Sequence, residues 1–132
     1  MNKKILLADD DKELVEVLTE RLEHSGYHVV SAYEGVRTIE VAHKERPDLI
    51  ILDWKMPTGI GSFVLKDLKS KHDTRHIPVI ILTGLDDSKI EEESLKLGAT
   101  AFMKKPYDDK ILLQKIREIL EWKELEASLS KS

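Results

Sequence analysis

The sequence predicts an α/β fold, a doubly wound five-stranded parallel sheet with five helices. Five apolar runs lie at 4–8, 28–32, 49–53, 77–83 and 101–104, and the segments between them carry helical spacing. The runs Leu49–Leu52 and Val79–Leu82 are continuous rather than alternating, as strands covered on both faces are. Helices that alternate with strands imply right-handed crossovers, hence a mostly parallel sheet.

Each element has its own signal. The first run, Ile5-Leu6-Leu7-Ala8, stops at Asp9-Asp10-Asp11. Leu14, Leu18 and Leu22 then recur every four residues with Val15 beside them, and Gly26 ends that helix as a C-terminal glycine does. Val36, Ile39 and His43 mark one face of a second helix, closed by Arg46-Pro47. The run Leu49–Leu52 meets Asp53 and then Trp54-Lys55-Met56-Pro57, which reads as a buried strand delivering a carboxylate to the sheet edge. Val64, Leu65 and Leu68 mark the third helix, and Ile90 and Leu97 a weaker fourth that Gly98 ends. Ile111, Leu112, Ile116, Ile119 and Leu120 mark the fifth. In the polar tail, Glu121–Ser132, the spacing of Trp122, Leu125 and Leu129 predicts that this last helix continues and then frays. The expected division is a domain over 1–122 and an extension over 123–132.

Composition narrows the class. A chain of 132 residues is enough for one domain with a real core. With 41% hydrophobic and 35% charged residues it is globular rather than disordered. No apolar run approaches the ~20 residues of a membrane helix, and the short run after Met1-Asn2-Lys3-Lys4 is no secretory signal. Cysteine is absent, which excludes a disulfide framework and thiolate chemistry and fits a cytoplasmic location. A net charge of −4 argues against a nucleic-acid-binding surface spread over the domain.

In doubly wound sheets, ligands bind at the carboxyl ends of the strands. Here those ends supply Asp9, Asp10 and Asp11, then Asp53, then Thr83-Gly84, then Lys104-Lys105-Pro106. Converging carboxylates raise one another's pKa or demand a cation, and oxygen donors suit a hard ion such as Mg²⁺. One carboxylate able to act as nucleophile, a hydroxyl and a fixed positive charge complete a kit for phosphoryl transfer to an aspartate. Asp11 reads instead as the cap of the first helix.

From Lys3 to Leu120 the chain resembles the receiver domains of bacterial response regulators, the CheY-like family of two-component signalling. The residues that carry the resemblance are the acids of ILLADDD, the acceptor of DWKMP, Gly61, Thr83 in IPVIILTG, and GATAFMKKPY with its Lys-Pro. The resemblance implies strand order 2-1-3-4-5 and a phosphorylation-controlled signalling switch rather than a turnover enzyme. It implies that Asp53 accepts a phosphoryl group from a histidine kinase or histidine phosphotransfer protein. Asp9, Asp10, Asp53 and the backbone carbonyl of Lys55 would hold Mg²⁺, with Mn²⁺ as a substitute. Thr83 and Lys105 would bind the phosphoryl oxygens, Gly84 would leave room for them, Phe102 would be the aromatic switch, and Lys105-Pro106 would be a cis peptide. The output surface would be the face of the fourth helix, fifth strand and fifth helix, near Lys89, Ile90, Glu93, Lys104 and Tyr107. It would engage a protein effector that the sequence does not name, or a second copy in a weak, phosphorylation-dependent dimer of an otherwise monomeric domain. No direct contact with nucleic acid or membrane is expected. Lys55, Leu85 and the hydroxyl-free Phe102 depart from the commonest family residues.

Three rival readings remain. A haloacid-dehalogenase-type phosphatase needs an acid two residues after its nucleophile, and Lys55 stands there. A flavodoxin-like flavin binder needs a phosphate-cradling first loop, where Asp9–Asp11 would repel one. A pseudo-receiver that only binds protein would not need so complete a set of strand-end residues. Trp54 is expected to be partly exposed near the site. His72 and His76 read as solvated histidines, and Lys66, Lys69, Lys71 and Arg75 as a solvated helix end.

Overall fold

A computed structural model describes residues 2–85 and 87–130. Strands β1 (Lys4–Ala8), β2 (His28–Ala32), β3 (Leu49–Leu52), β4 (Val79–Thr83) and β5 (Ala101–Lys104) alternate with helices α1 (Lys12–His24), α2 (Gly35–Glu45), α3 (Gly61–Ser70), α4 (Ser88–Lys96) and α5 (Asp109–Ser130). All strand pairs are parallel and the order across the sheet is β2-β1-β3-β4-β5. The chain therefore reverses its direction of winding between β1 and β3.

Strand side chains alternate between the two faces and build two cores. Leu6, Ile50, Leu52, Val79 and Ile81 pack with Val41 and Ala42 of α2 and Val64, Leu65 and Leu68 of α3; Ile90 of α4 joins them. Ile5, Leu7, Leu49, Ile51, Ile80 and Leu82 pack with Val15, Leu18 and Leu22 of α1 and Leu112, Ile116, Ile119 and Leu120 of α5. The continuous apolar runs of β3 and β4 follow from this, because both faces of those strands are covered. The fourth run starts two residues before its strand. Pro78 has no N–H to give the sheet, yet its carbonyl accepts from Ile50 N at 3.0 Å.

Three expectations about faces need correction. On α2 the buried residues are Gly35, Thr38, Val41 and Ala42, whereas Val36 is 45% exposed. Thr38 can turn inward because its hydroxyl donates to Glu34 O at 2.7 Å, which satisfies the polar group within the helix. On α5, Leu112, Ile116, Ile119 and Leu120 are buried but Ile111 is exposed, one step of about 100° off the stripe. Trp54 is buried rather than partly exposed. The loop after β3 folds back so that Gly61 N donates to Trp54 O at 2.7 Å, and the indole fills the space over Gly61, where a Cβ would lie 2.5 Å from Trp54 Cε3.

Beyond Trp122 the last helix continues to Ser130 with Leu125 and Leu129 exposed. Lys131 and Ser132, the end of the expected extension, lie outside the described residues. Among the described residues no helix is long and apolar enough to cross a membrane.

Candidate functional site

The carboxyl ends of β1, β3, β4 and β5 meet in one place. Backbone hydrogen bonds carry the strand register one residue past the strands. Asp9 N donates to Ala32 O at 3.1 Å, Asp53 N to Ala8 O at 2.9 Å, and Lys105 N to Thr83 O at 2.8 Å. This fixes Asp9 and Asp53 on rigid backbone at the switch point between β1 and β3, where doubly wound sheets bind ligands, and Lys105 at the end of β5, beside β4.

The side chains converge accordingly. One carboxylate oxygen each from Asp9, Asp10 and Asp53 lies within 4.8 Å of the others. Asp9 and Asp53 are buried and Asp10 is exposed, so the cluster opens to solvent on one side. Lys105 Nζ donates to Asp9 Oδ2 at 2.7 Å and to Asp53 Oδ2 at 3.3 Å. The remaining oxygens take backbone donors, Asp11 N on Asp9 Oδ1 at 2.9 Å and Lys55 N on Asp53 Oδ1 at 3.3 Å.

Electrostatics follow from this packing. Burial pushes the Asp9 carboxyl above its ordinary value, the Lys105 hydrogen bond and Asp11 N pull it back, and the Asp53 charge pushes it up again. Burial pulls the Lys105 ammonium down, but its hydrogen bond to Asp9 and the charges of Asp53 and Asp9 outweigh that and hold it above its ordinary value. Both partners of one ion pair thus shift upward. The lysine reports the attraction within the pair, and the aspartate reports its dry surroundings and its second carboxylate neighbour. Among the described residues, Lys105 pairs with two of the three clustered carboxylates, so negative charge is in excess. Hard oxygen donors with uncompensated negative charge fit a small divalent cation.

The other sequence-derived residues surround this cluster. Thr83 is fully buried at the end of β4, and its hydroxyl accepts weakly from Leu85 N at 3.4 Å. Gly84 is exposed, and a Cβ there would meet only the Lys105 stem, at 3.9 Å. Phe102 is half-buried against the core under α2, α3 and α4. The Lys105-Pro106 peptide is cis. The Lys55 side chain is exposed, as is Lys104. Asp11 stays out of the cluster and caps α1, accepting from Leu14 N at 3.1 Å.

The sequence reading missed how the loop carrying the site is anchored. Gly35 N donates to Pro57 O at 2.8 Å and Val36 N to Thr58 Oγ1 at 3.2 Å, with Thr58 in the left-handed region at φ 62°. A Cβ on Gly35 would lie 2.5 Å from Gly59 O. The turn signal Pro57-Thr58-Gly59 and a glycine opening α2 are visible in the sequence, but their contact is a tertiary fact.

Comparison with known proteins agrees with the geometry. The response regulator receiver domain family matches residues 5–117. The chain is 36% identical over 130 residues to the alkaline phosphatase synthesis transcriptional regulatory protein PhoP of Bacillus subtilis, covering 98% of this chain and 53% of that protein. It is 39% identical over 117 residues to the transcriptional regulatory protein CpxR of Escherichia coli, covering 89% and 49%. Among solved structures, the receiver domain of a signal transduction histidine kinase from Syntrophus aciditrophicus matches with a TM-score of 0.83 at 35% identity, covering 90% of each chain. The chain spans about half the length of these two curated relatives. The matched span contains every residue of the strand-end cluster from Asp9 to Lys105, and the chain belongs to the response regulator receiver domain family of two-component systems.

Proposed function

We propose that Asp53 is the phosphoacceptor of a signalling switch, charged by a histidine kinase or a histidine phosphotransfer protein. The observation that carries this reading is Lys105 Nζ held between Asp9 and Asp53, with Asp10 alongside. An Asp53 carboxylate oxygen attacks the phosphorus of phosphohistidine. The new P–O bond forms as the P–N bond breaks, and the electron pair leaves with the imidazole nitrogen, which takes its proton from solvent. Asp9, Asp10, Asp53 and the Lys55 backbone carbonyl are the residues that would hold Mg²⁺, or Mn²⁺ in its place. That ion supplies charge neutralisation for the transferred group.

This chain's own residues do the rest. Lys105 neutralises one phosphoryl oxygen and Thr83 Oγ1 donates to another. Gly84 leaves the approach open. The same groups serve the later attack of water, so the domain assists its own phosphorylation and dephosphorylation without being a conventional turnover enzyme. With Thr83 drawn inward, the half-buried Phe102 turns into the space released, and the face of α4, β5 and α5 changes shape. Lys89, Ile90, Glu93, Lys104 and Tyr107 lie on or beside those elements and form the docking surface for a protein effector or a second copy. The domain is a monomer, or a weak dimer through that face when phosphorylated. The compartment that supplies such phosphoryl donors is the cytoplasm.

Intact mass after incubation with acetyl phosphate tests the reading. The expected result is a gain of one phosphoryl group that requires Mg²⁺ and is absent in Asp53→Asn. Uptake without Mg²⁺, or undiminished in Asp53→Asn, would place the modification elsewhere and end this assignment.

A further inference from the structure

Away from the strand-end cluster, one imidazole sits between two carboxylates from different elements. His43, near the end of α2, has Nδ1 2.8 Å from Asp73 Oδ2 in the loop between α3 and β4, and Nε2 3.5 Å from Asp67 Oδ1 on α3. Ionised carboxylates only accept hydrogen bonds. A neutral imidazole donates from one ring nitrogen and turns a lone pair outward at the other. With a carboxylate oxygen at both nitrogens, only the imidazolium satisfies both contacts. The two nitrogens face different carboxylates on opposite sides of the ring, so the arrangement is a proton clasp and not a metal site.

We propose that His43 is a proton-operated latch: protonated, it ties α2 to α3 and to the loop before β4, and it releases them when it loses its proton. The surroundings support this. The side chains of His43, Asp67 and Asp73 are 30%, 23% and 29% exposed, so water screens them only in part. The hydrogen bond to Asp73 raises His43 above an ordinary imidazole, burial opposes it, and Asp67 adds to the rise. The same bond lowers Asp73, so both partners report one charged pair.

The other charges facing the latch are Arg46 Nη2, at the end of α2, 3.9 Å from Asp73 Oδ2, and Lys71 Nζ, just after α3, 4.0 Å from Asp67 Oδ2. His72, Arg75 and His76 line the same open groove as Arg46 and Asp73. On the sheet side the last α2 residue, Glu45, is engaged by Lys4 of β1 at 3.0 Å. Asp73 thus keeps Arg46 nearby when His43 is neutral, and the loop relaxes rather than being repelled.

The latch closes one end of the α2–α3 pair, and the Gly35–Pro57 and Val36–Thr58 hydrogen bonds close the other. Release at the His43 end therefore loosens α3 without freeing the loop that carries Asp53. A group whose folded pKa is raised stabilises the fold fully below its unfolded value, ~6.5 for histidine, and loses that contribution as pH rises through the folded value. The device thus favours a tight α2–α3 pair below the ordinary histidine value of ~6.5 and a looser one as pH rises through the raised folded value.

NMR titration of the His43 ring between pH 5 and 9 on the whole chain tests the latch directly. The expected midpoint lies above ~6.5, falls in Asp73→Asn, and falls less in Asp67→Asn. A midpoint at or below 6.5, or one that Asp73→Asn leaves in place, overturns the proposal. Urea midpoints across the same range provide a second readout. The gap between parent and His43→Gln should be widest at the acidic end and close as pH rises. A gap of constant size would show a packing role only and would equally overturn it.

Discussion

At the residue scale, Asp9 concentrates the electrostatic tension of the domain. Its carboxyl is almost fully covered, shares its site with Asp53 and Asp10, and shifts upward chiefly because burial disfavours its charge. A raised folded value means that the Asp9 contribution to stability is full below the unfolded ~3.9 and is lost as pH rises through the folded value. The charged form of Asp9 therefore works against folding, and a cation bound beside it would offset that. In the absence of divalent ions, Asp9→Asn should melt at a higher temperature than the parent at pH 7. Added Mg²⁺ should stabilise the parent, by about 2.7 kcal/mol at a hundred times its dissociation constant, and should stabilise Asp9→Asn much less. Thermal melts with and without Mg²⁺ measure both. A lower melting temperature for Asp9→Asn without Mg²⁺, or equal Mg²⁺ shifts for the two proteins, would contradict the account.

The residues of this cluster were legible because each one ends an apolar run, and a strand end is visible in one dimension. Trp54 and Lys69 were not. Trp54 is buried by a loop that folds back over Gly61. Lys69, expected in a solvated helix end, is half-buried, with Nζ donating to Ile77 O at 2.7 Å and to Arg75 O at 3.1 Å, and burial lowers its pKa. Such residues are placed by loops that fold back on them six to eight residues along the chain, and local composition carries no trace of that fold-back.

At the scale of elements, α2 shows how a helix can present a face that its apolar residues do not announce. Thr38 is fully buried and Val36 is exposed because the threonine hydroxyl is satisfied by Glu34 O, so the apolar count alone selects the wrong stripe. The start of α2 also has a job in the site, since it meets the loop after β3 at Gly35 and Gly59. Gly35→Ala puts a methyl 2.5 Å from a backbone oxygen, where no flexible side chain can yield, so the two loops must part. The expected cost is about 1–3 kcal/mol, as for overpacking a tight interior, together with slower phosphoryl uptake at Asp53. Gly84→Ala makes the control. Its methyl meets only ordinary contacts at 3.9 Å, and its stability should stay within about 0.5 kcal/mol of the parent. Urea denaturation of the two variants compares them. Equal costs would mean that the close approach of the two loops is not what holds them.

At the scale of the whole molecule, the sheet separates two cores with different partners, α1 and α5 on one side and α2, α3 and α4 on the other. The order of strands along the chain predicts such a double winding, but the point where α5 stops contributing is set by packing alone. The helix runs unbroken to Ser130, while its last buried residue is Leu120. Beyond it Trp122, Leu125 and Leu129 are exposed. A tie back to the sheet is the ion pair of Lys3 Nζ with Glu124 Oε1 at 3.2 Å, whose glutamate is 63% exposed and which at such exposure is worth about 0–1 kcal/mol. Burial, not helical continuity, supplies most helix stability in a folded domain. A chain ending at Trp122 should therefore keep its urea midpoint to within about 1 kcal/mol and take up a phosphoryl group as the parent does. Leu120→Ala, only two residues earlier, should cost about 2–5 kcal/mol, because it empties a filled position between α5 and the sheet. If the truncation instead cost as much as Leu120→Ala, the final turns of α5 would belong to the core of the domain, and its boundary would have to move to the end of the helix.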